Sequence, residues 1–159
     1  MKIKKITSFF LSVFICFLAG GVGSYFTFPE IKTWYVALQK PFFNPPNWVF
    51  GPVWSLLYLM MAVSLYLVWE TKSKKNEKQQ GLYFFFIQLV LNSLWSIVFF
   101  GLHSPFFSLI IIISLWSMIL FTLLNFMKIN KTAGWLLVPY LAWVSFATVL
   151  NFSVVILNW

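Results

Sequence analysis

The chain has 159 residues, of which 61% are apolar and 9% charged, with a mean hydropathy of +0.87. A soluble domain carries about 25% charged residues, so this composition excludes a surface wetted all round, and with it a disordered chain, a collagen-like chain and a nucleic-acid-binding domain. The net charge of +8 arises from 11 Lys against 3 Glu, with no Arg and no Asp; in so apolar a chain, a basic balance speaks of membrane topology.

Crossing a hydrocarbon core of about 30 Å takes about 20 apolar residues in a helix. Five stretches qualify, at about 6–26, 46–69, 82–100, 106–127 and 133–157. They predict an all-α integral membrane protein, a five-transmembrane-helix bundle forming a single domain over 1–159.

The first stretch follows Lys2, Lys4 and Lys5 and contains the small residues Ala19 to Ser24. A basic start, an apolar run and small residues also describe a signal peptide; the run continues through Tyr25 and Phe26, which favours a retained span. Ala19/Gly23 and Gly20/Ser24 are small pairs at helical spacing, suited either to packing within the chain or to a dimer seam. Cys16 is the sole cysteine, so neither an internal disulfide nor a cysteine-cluster metal site is expected.

The connection after the first stretch carries Trp34, Pro41 and the run Asn44-Pro45-Pro46-Asn47, which reads as a stiff approach to the second helix with Asn44 as its N-cap. Gly51-Pro52 is expected to interrupt that helix near its start. Beyond it Trp54, Tyr58 and Met61 share a face, and Met60 and Met61 read as adaptable packing. The lysine-rich segment 71–80 is either a headgroup- or protein-docking patch or a solvated loop that fixes topology.

On the third helix Asn92, Trp95 and Phe99 share a face. His103, the single histidine, is either a haem ligand outside the bundle or an ordinary loop residue. Trp116 on the fourth helix reads as packing or lipid-facing. On the fifth, Pro139 predicts a kink, and Trp143, Phe146, Ala147 and Leu150 share a face beside Asn151.

The spans hold no Asp, Glu, Lys or Arg, which weakens proton-coupled exporters, ion pumps and charge-gated channels. The sequence contains no Ser-His-Asp set, no HExxH and no Gly-rich phosphate loop. What remains is aromatic: 22% of the residues, including 20 Phe and 9 Trp. Trp34, Trp48, Trp69, Trp135 and Trp159 fall near predicted helix ends, where indoles anchor at the interface. Trp54, Trp95, Trp116 and Trp143 fall deeper, where an indole N–H without a partner costs about 1–3 kcal/mol. Convergence of the Trp54, Asn92 and Trp143 faces would enclose an aromatic chamber for a large flat apolar ligand; the alternative is that the same faces form a solid bundle core. Nine lysines flank the helix ends that share a side with the N-terminus and two, Lys32 and Lys40, lie opposite. This distribution predicts a multi-pass cell-membrane protein with a cytoplasmic N-terminus and an external C-terminus.

Trp34-Tyr35, Leu38, Lys40-Pro41, Pro45-Pro46, the run Trp48 to Trp54, Leu57-Tyr58 and Leu67-Val68-Trp69 resemble the signature of the TspO/MBR family of tryptophan-rich sensory and translocator proteins. Gln88-Leu89, Leu91-Asn92, Trp95 and Phe99-Phe100-Gly101 are similar to its third helix. Pro139 to Trp143, Phe146-Ala147-Thr148 and Leu150-Asn151 are similar to its fifth. The resemblance implies a homodimeric membrane receptor or regulator, linked to tetrapyrrole metabolism, that binds protoporphyrin IX, haem or isoquinoline carboxamides within the bundle. It requires no cofactor or metal; the porphyrin or haem is the ligand, and the partners are tetrapyrroles and the lipid bilayer, not nucleic acid. Carried over residue by residue, Trp54, Asn92, Trp143 and Ala147 line the site, with Trp34, Pro41, Asn44, Pro45 and Pro46 in its lid; the face neighbours Tyr58, Trp95, Phe146 and Leu150 complete the expected ligand-binding set by helical spacing. Two further activities go with the resemblance: light-dependent porphyrin breakdown beside Trp54 and Trp143, and facilitated transport of porphyrin or another apolar metabolite. The chain departs from the animal pattern at Phe152, where a sterol-recognition stretch has Tyr followed by a basic residue, and its helix 82–100 lacks the Gly and Ala that mediate pairing in some relatives.

Overall fold

The computed structural model describes residues 2–159, with side chains from Lys5 onward, so the side chains of Lys2 and Lys4, on which part of the topology reading rests, lie outside the described residues. The described chain is helical. α1 (Lys2–Glu30) leads through a short α2 (Trp34–Ala37) to α3 (Asn47–Glu70) and α4 (Lys75–Ser96). α4 runs on into a π-helical turn, Ile97–Gly101, followed by α5 (Pro105–Ile129), a short α6 (Lys131–Trp135) and α7 (Val138–Leu157). Five apolar spans result, the shortest of 24 residues, a length of about 36 Å against a hydrocarbon core of about 30 Å. The five-helix membrane bundle expected from hydropathy is the fold observed.

Several boundaries differ from the sequence reading, each for a local reason. The third span starts at Lys75 rather than residue 82, because the polar residues 75–80 continue the helix outward. Lys78 Nζ donates to the carbonyls of Trp69 at 2.7 Å and Thr71 at 3.2 Å, satisfying the end of α3. Much of the segment read as a loop is therefore the beginning of α4. Gly51-Pro52 does not break α3, which runs unbroken from Asn47; Pro52 lies in its second turn, where the missing N–H frees a single carbonyl. Asn44 is not the cap of that helix. It accepts from Tyr35 OH and donates to the Pro45 carbonyl, both at 3.0 Å. The kink expected from Pro139 is seen as an interruption at Leu136-Leu137, between α6 and α7, in the turn just before the proline. Pro139 sits in the first turn of α7, where no helical acceptor is lost, while Asn130 caps α6 by accepting from Ala133 N at 3.1 Å.

In lipid, helices gain little from burying apolar surface and associate through close packing and hydrogen bonds. α1 lies against α3 and α4, α4 against α5, α5 against α7, and α3 against α6. The small residues of α1 serve these contacts within the chain. A Cβ on Gly20 would stand 2.6 Å from Cε2 of Tyr58, and one on Gly23 would stand 3.0 Å from Oγ of Ser96. Ser93 Oγ donates to the Ala19 carbonyl at 3.0 Å, and Ser64 Oγ ties α3 to α6 through the Ala133 carbonyl at 2.7 Å. The half of the bundle nearer the lysine-rich end is solid: Met61, Leu65, Phe85, Ile119, Phe126 and Tyr140 are fully buried, with Phe85 stacked on Phe126 at 5.6 Å.

Candidate functional site

Toward the opposite end the helices part around a cavity of about 510 Å³, within the range of about 300–1,000 Å³ that takes small-molecule ligands. Each wall follows from its element. α1 contributes Gly20, Gly21, Gly23 and Ser24, which leave volume where larger side chains would fill it. α3 contributes Phe50, Trp54 and Tyr58; α7 contributes Trp143, Ala147, Leu150 and Asn151. α4 and the π turn contribute Asn92, Trp95, Phe99 and Phe100. The π turn takes one extra residue, seen in the Leu102 N to Ile97 O bond of 2.9 Å. Its wider radius lets the consecutive residues Phe99 and Phe100 both turn inward, 3% and 7% exposed. Tyr35 and Asn44 close the top. Among the described residues, no Asp, Glu, Lys or His lines the space. Rings bridge α3 and α7 across it, Phe50 to Trp143 at 6.0 Å and Trp54 to Tyr140 at 6.2 Å.

The floor is a hydrogen-bonded chain through three helices. Tyr58 OH donates to Asn92 Oδ1. Asn92 Nδ2 donates to Tyr140 OH at 2.9 Å, and Tyr140 OH donates to Gln88 Oε1 at 2.8 Å. Gln88 Nε2 then approaches Met61 Sδ at 3.8 Å. Asn92 thus uses both of its polar atoms within this chain, accepting from Tyr58 and donating to Tyr140. On the next wall Trp95 Nε1 donates to Asn151 Oδ1 at 3.0 Å, and Asn151 is fixed in turn by Ser108 Oγ and the Pro105 carbonyl. At the top, burial pushes the Tyr35 phenol above its ordinary pKa, partly offset by Asn44, so it stays a neutral donor to Asn44.

The deep tryptophans differ in how they are satisfied. Trp95 is bonded as above, and Trp116, partly buried on α5, donates to Ser145 Oγ at 2.7 Å, so it packs within the protein. Trp143 Nε1 is enclosed and has no hydrogen-bond partner. A buried N–H without an acceptor is costly, and here it belongs to a cavity-lining residue.

Of the residues singled out in the sequence, Trp54, Tyr58, Asn92, Trp95, Trp143, Ala147 and Leu150 surround one cavity, and Asn44 joins them from the loop. Phe146 does not. Three positions from Trp143, it falls on the flank of α7 and packs against Trp143 at 5.5 Å and Phe43 at 6.4 Å. Trp34, Pro41, Pro45 and Pro46 do not line the cavity either. Trp34 stands behind its wall, edge-on to Phe99 at 5.5 Å; the prolines shape the turn, with the Pro41 carbonyl accepting from Asn44 N at 3.0 Å. His103 is no ligand to the cavity: its Nε2 lies 3.0 Å from Glu30 Oε2, and its ring stacks on Trp34. The sequence reading missed Tyr35, Phe100 and the α1 glycines as lining; the small-residue run 19–24 was their signal, read there only as a packing seam.

The fold and the cavity together define a five-span membrane protein with an uncharged, aromatic-walled cavity in one half of the bundle. The family model for the TspO/MBR family matches residues 12–157. The tryptophan-rich protein TspO of Chlorobaculum tepidum is 46% identical over 98% of this chain and 98% of its own. The tryptophan-rich protein TspO of Archaeoglobus fulgidus is 42% identical over 99% of each. The human translocator protein is 40% identical over 84% of this chain and 79% of its own. The chain belongs to the TspO/MBR family.

Proposed function

We propose that this protein is a membrane receptor or regulator that binds a tetrapyrrole, such as protoporphyrin IX or haem, in the cavity, as a homodimer and in connection with tetrapyrrole metabolism. One observation carries the reading: a cavity of about 510 Å³ walled by aromatic rings without an ionised group, with an unpartnered indole N–H on Trp143. A planar macrocycle is recognised by stacking and apolar burial, which such walls supply. A porphyrin has about 40 heavy atoms, and at about −0.3 kcal/mol per atom its binding is bounded near −12 kcal/mol. Micromolar affinity uses about −8 of that. Among the described residues no His, Cys or Met lines the cavity, so iron gains no axial ligand from those groups. The test is quenching of Trp and Tyr fluorescence by protoporphyrin IX in detergent. Saturable quenching that weakens in Trp143→Ala supports the proposal; quenching that never saturates, or that the variant leaves unchanged, removes it.

A second reading is favoured by the presence of both Trp54 and Trp143 in the cavity wall. Illumination of a bound porphyrin in the presence of oxygen would oxidise the pigment beside these rings, with the ligand carrying the chemistry and the protein its orientation. Equal bleaching by wild type and Trp54→Phe counts against it. Transport, the activity in the human relative's name, would be downhill, since the cavity holds no ionisable coupling group. Uptake by proteoliposomes no faster than by empty vesicles would dismiss it.

A further inference from the structure

Three residues with no part in the cavity lining meet at its rim. Glu30 closes α1, Trp34 opens α2 and His103 follows the π turn. His103 Nε2 lies 3.0 Å from Glu30 Oε2. The same carboxylate oxygen accepts from Thr33 Oγ1 at 3.0 Å. The imidazole stacks on the Trp34 indole with centroids 4.6 Å apart and planes 13° from parallel. His103 holds this position with φ of 51°, a left-handed conformation uncommon outside Gly, though Asn and His adopt it more than most. Trp34 in turn stands edge-on to Phe99 at 5.5 Å and Phe100 at 6.5 Å, two rings of the cavity wall. Its neighbour Tyr35 reaches the cavity itself.

We infer that His103 is a positioning residue whose proton sets how firmly the segment 31–44 is held over the cavity, through its pair with Glu30 and its stack on Trp34. The inference rests on the cavity being the ligand site and concerns the regulation of that site. Protonation acts on both contacts in the same direction. A neutral imidazole offers Glu30 at most a neutral hydrogen bond, whereas an imidazolium makes a charge-assisted one. An imidazolium over an indole also gains cation–π attraction. Histidine is the side chain whose charge ordinarily changes between about pH 5 and about pH 8.

Among the described residues no other ion pair involves His103. Glu70 and Glu77 lie at the lysine-rich end, and Glu77 pairs there with Lys74 at 3.8 Å. Lys40 Nζ is occupied by the carbonyls of Tyr35, Val36 and Leu38. Lys32 and the terminal carboxylate make no ion pair among the described residues. The far end of the segment has a hold without titratable groups: Gln39 N donates to Asn158 Oδ1 at 3.0 Å, and Asn158 Nδ2 donates to the Gln39 carbonyl at 2.9 Å. Acid therefore tightens one attachment and leaves the other as it is.

The experiment uses the full chain in detergent at several values between about pH 5.5 and about pH 8. The probe is protoporphyrin IX dimethyl ester, whose esterified side chains remove the propionate titration. Its dissociation from wild type is expected to slow in acid, by up to about fivefold, the scale of an exposed ion pair. Glu30→Gln and His103→Asn are each expected to flatten the profile at the fast, alkaline rate; Asn is chosen because it tolerates the left-handed backbone. Asn158→Ala speeds release at every pH and keeps the slope. A flat wild-type profile, or an acid slope that survives both Glu30→Gln and His103→Asn, overturns the inference. Amide hydrogen exchange of residues 31–44, corrected for the intrinsic rate, reads the same hold without ligand. Its protection should rise in acid in wild type and not in Glu30→Gln. PH-dependent protection in a protein that binds no porphyrin would leave the hold standing and overturn the tetrapyrrole reading alone; protection independent of pH overturns the hold.

Discussion

At the scale of single residues, the cavity depends on side chains whose polar atoms are fully engaged and on one whose polar atom is not. Asn92 is 3% exposed and joins Tyr58 to Tyr140. Asn92→Leu keeps the volume but leaves the Tyr58 hydroxyl without its acceptor, and is expected to cost about 1–3 kcal/mol, read by thermal or denaturant unfolding in micelles. Adding Tyr58→Phe removes the orphan and should recover part of that loss; a double variant less stable than Asn92→Leu alone would show that the two do not act as a pair. Trp143 behaves in the opposite way. Trp143→Phe removes an N–H that has no partner in the protein, so stability should hold or rise while protoporphyrin IX binding weakens, by about tenfold for about 1.4 kcal/mol. Weakened binding with an equal loss of stability would mark Trp143 as packing alone. These residue types were legible in the sequence because tryptophan and amide side chains deep in a hydrophobic span have few alternatives. Which face each occupies was legible only to within a turn: Phe146, three positions from Trp143, was grouped with it and lies outside the cavity, whereas Ala147 and Leu150, at four and seven, lie inside.

At the scale of elements, the spans were legible because twenty consecutive apolar residues have one solution in lipid. Their ends were not, because polar residues extend a helix past the hydrocarbon without any break in propensity, as residues 75–80 do before the apolar part of α4. The π turn at Ile97–Gly101 carries no composition signal of its own, and Phe99 and Phe100 both line the cavity from it. Proline was read as a break at Pro52, where α3 runs on intact, and as a kink at Pro139, which stands in the first turn of α7 just after the interruption at Leu136-Leu137. Pro139→Ala is therefore expected to change stability by no more than about 0.5 kcal/mol, the range of substitutions that touch no special feature. A loss of several times that size would show that Pro139 itself sets the angle between α6 and α7. Asn130 caps α6 ahead of the interruption, and its Nδ2 also donates to Thr71 Oγ1 at 3.0 Å, so Asn130→Ala should be the more damaging of the two.

At the scale of the whole molecule, the bundle has a solid half and a hollow half, and its charge follows the same division. α3 and the last span are joined closely through α6 at the lysine-rich end and through aromatic rings where the cavity opens. The described lysines of the solid end, Lys5, Lys72, Lys74, Lys75, Lys78, Lys128 and Lys131, face Lys32 and Lys40 at the other. Lysines near short loops resist translocation; a cytoplasmic lysine-rich side, expected on that rule, would place the cavity in the outward half of the bilayer. Two positions report this directly. Phe42 is 100% exposed in the loop over the cavity, and Asn76 is exposed at the start of α4. Cys16, the only native thiol, is fully buried, and Cys16→Ala supplies a background without one. In that background a membrane-impermeant maleimide applied to intact cells should label Phe42→Cys and should reach Asn76→Cys only after the membrane is opened. The reverse pattern would mean that the loop over the cavity faces the cytoplasm, and ligand would then be drawn from the cell interior rather than from outside it.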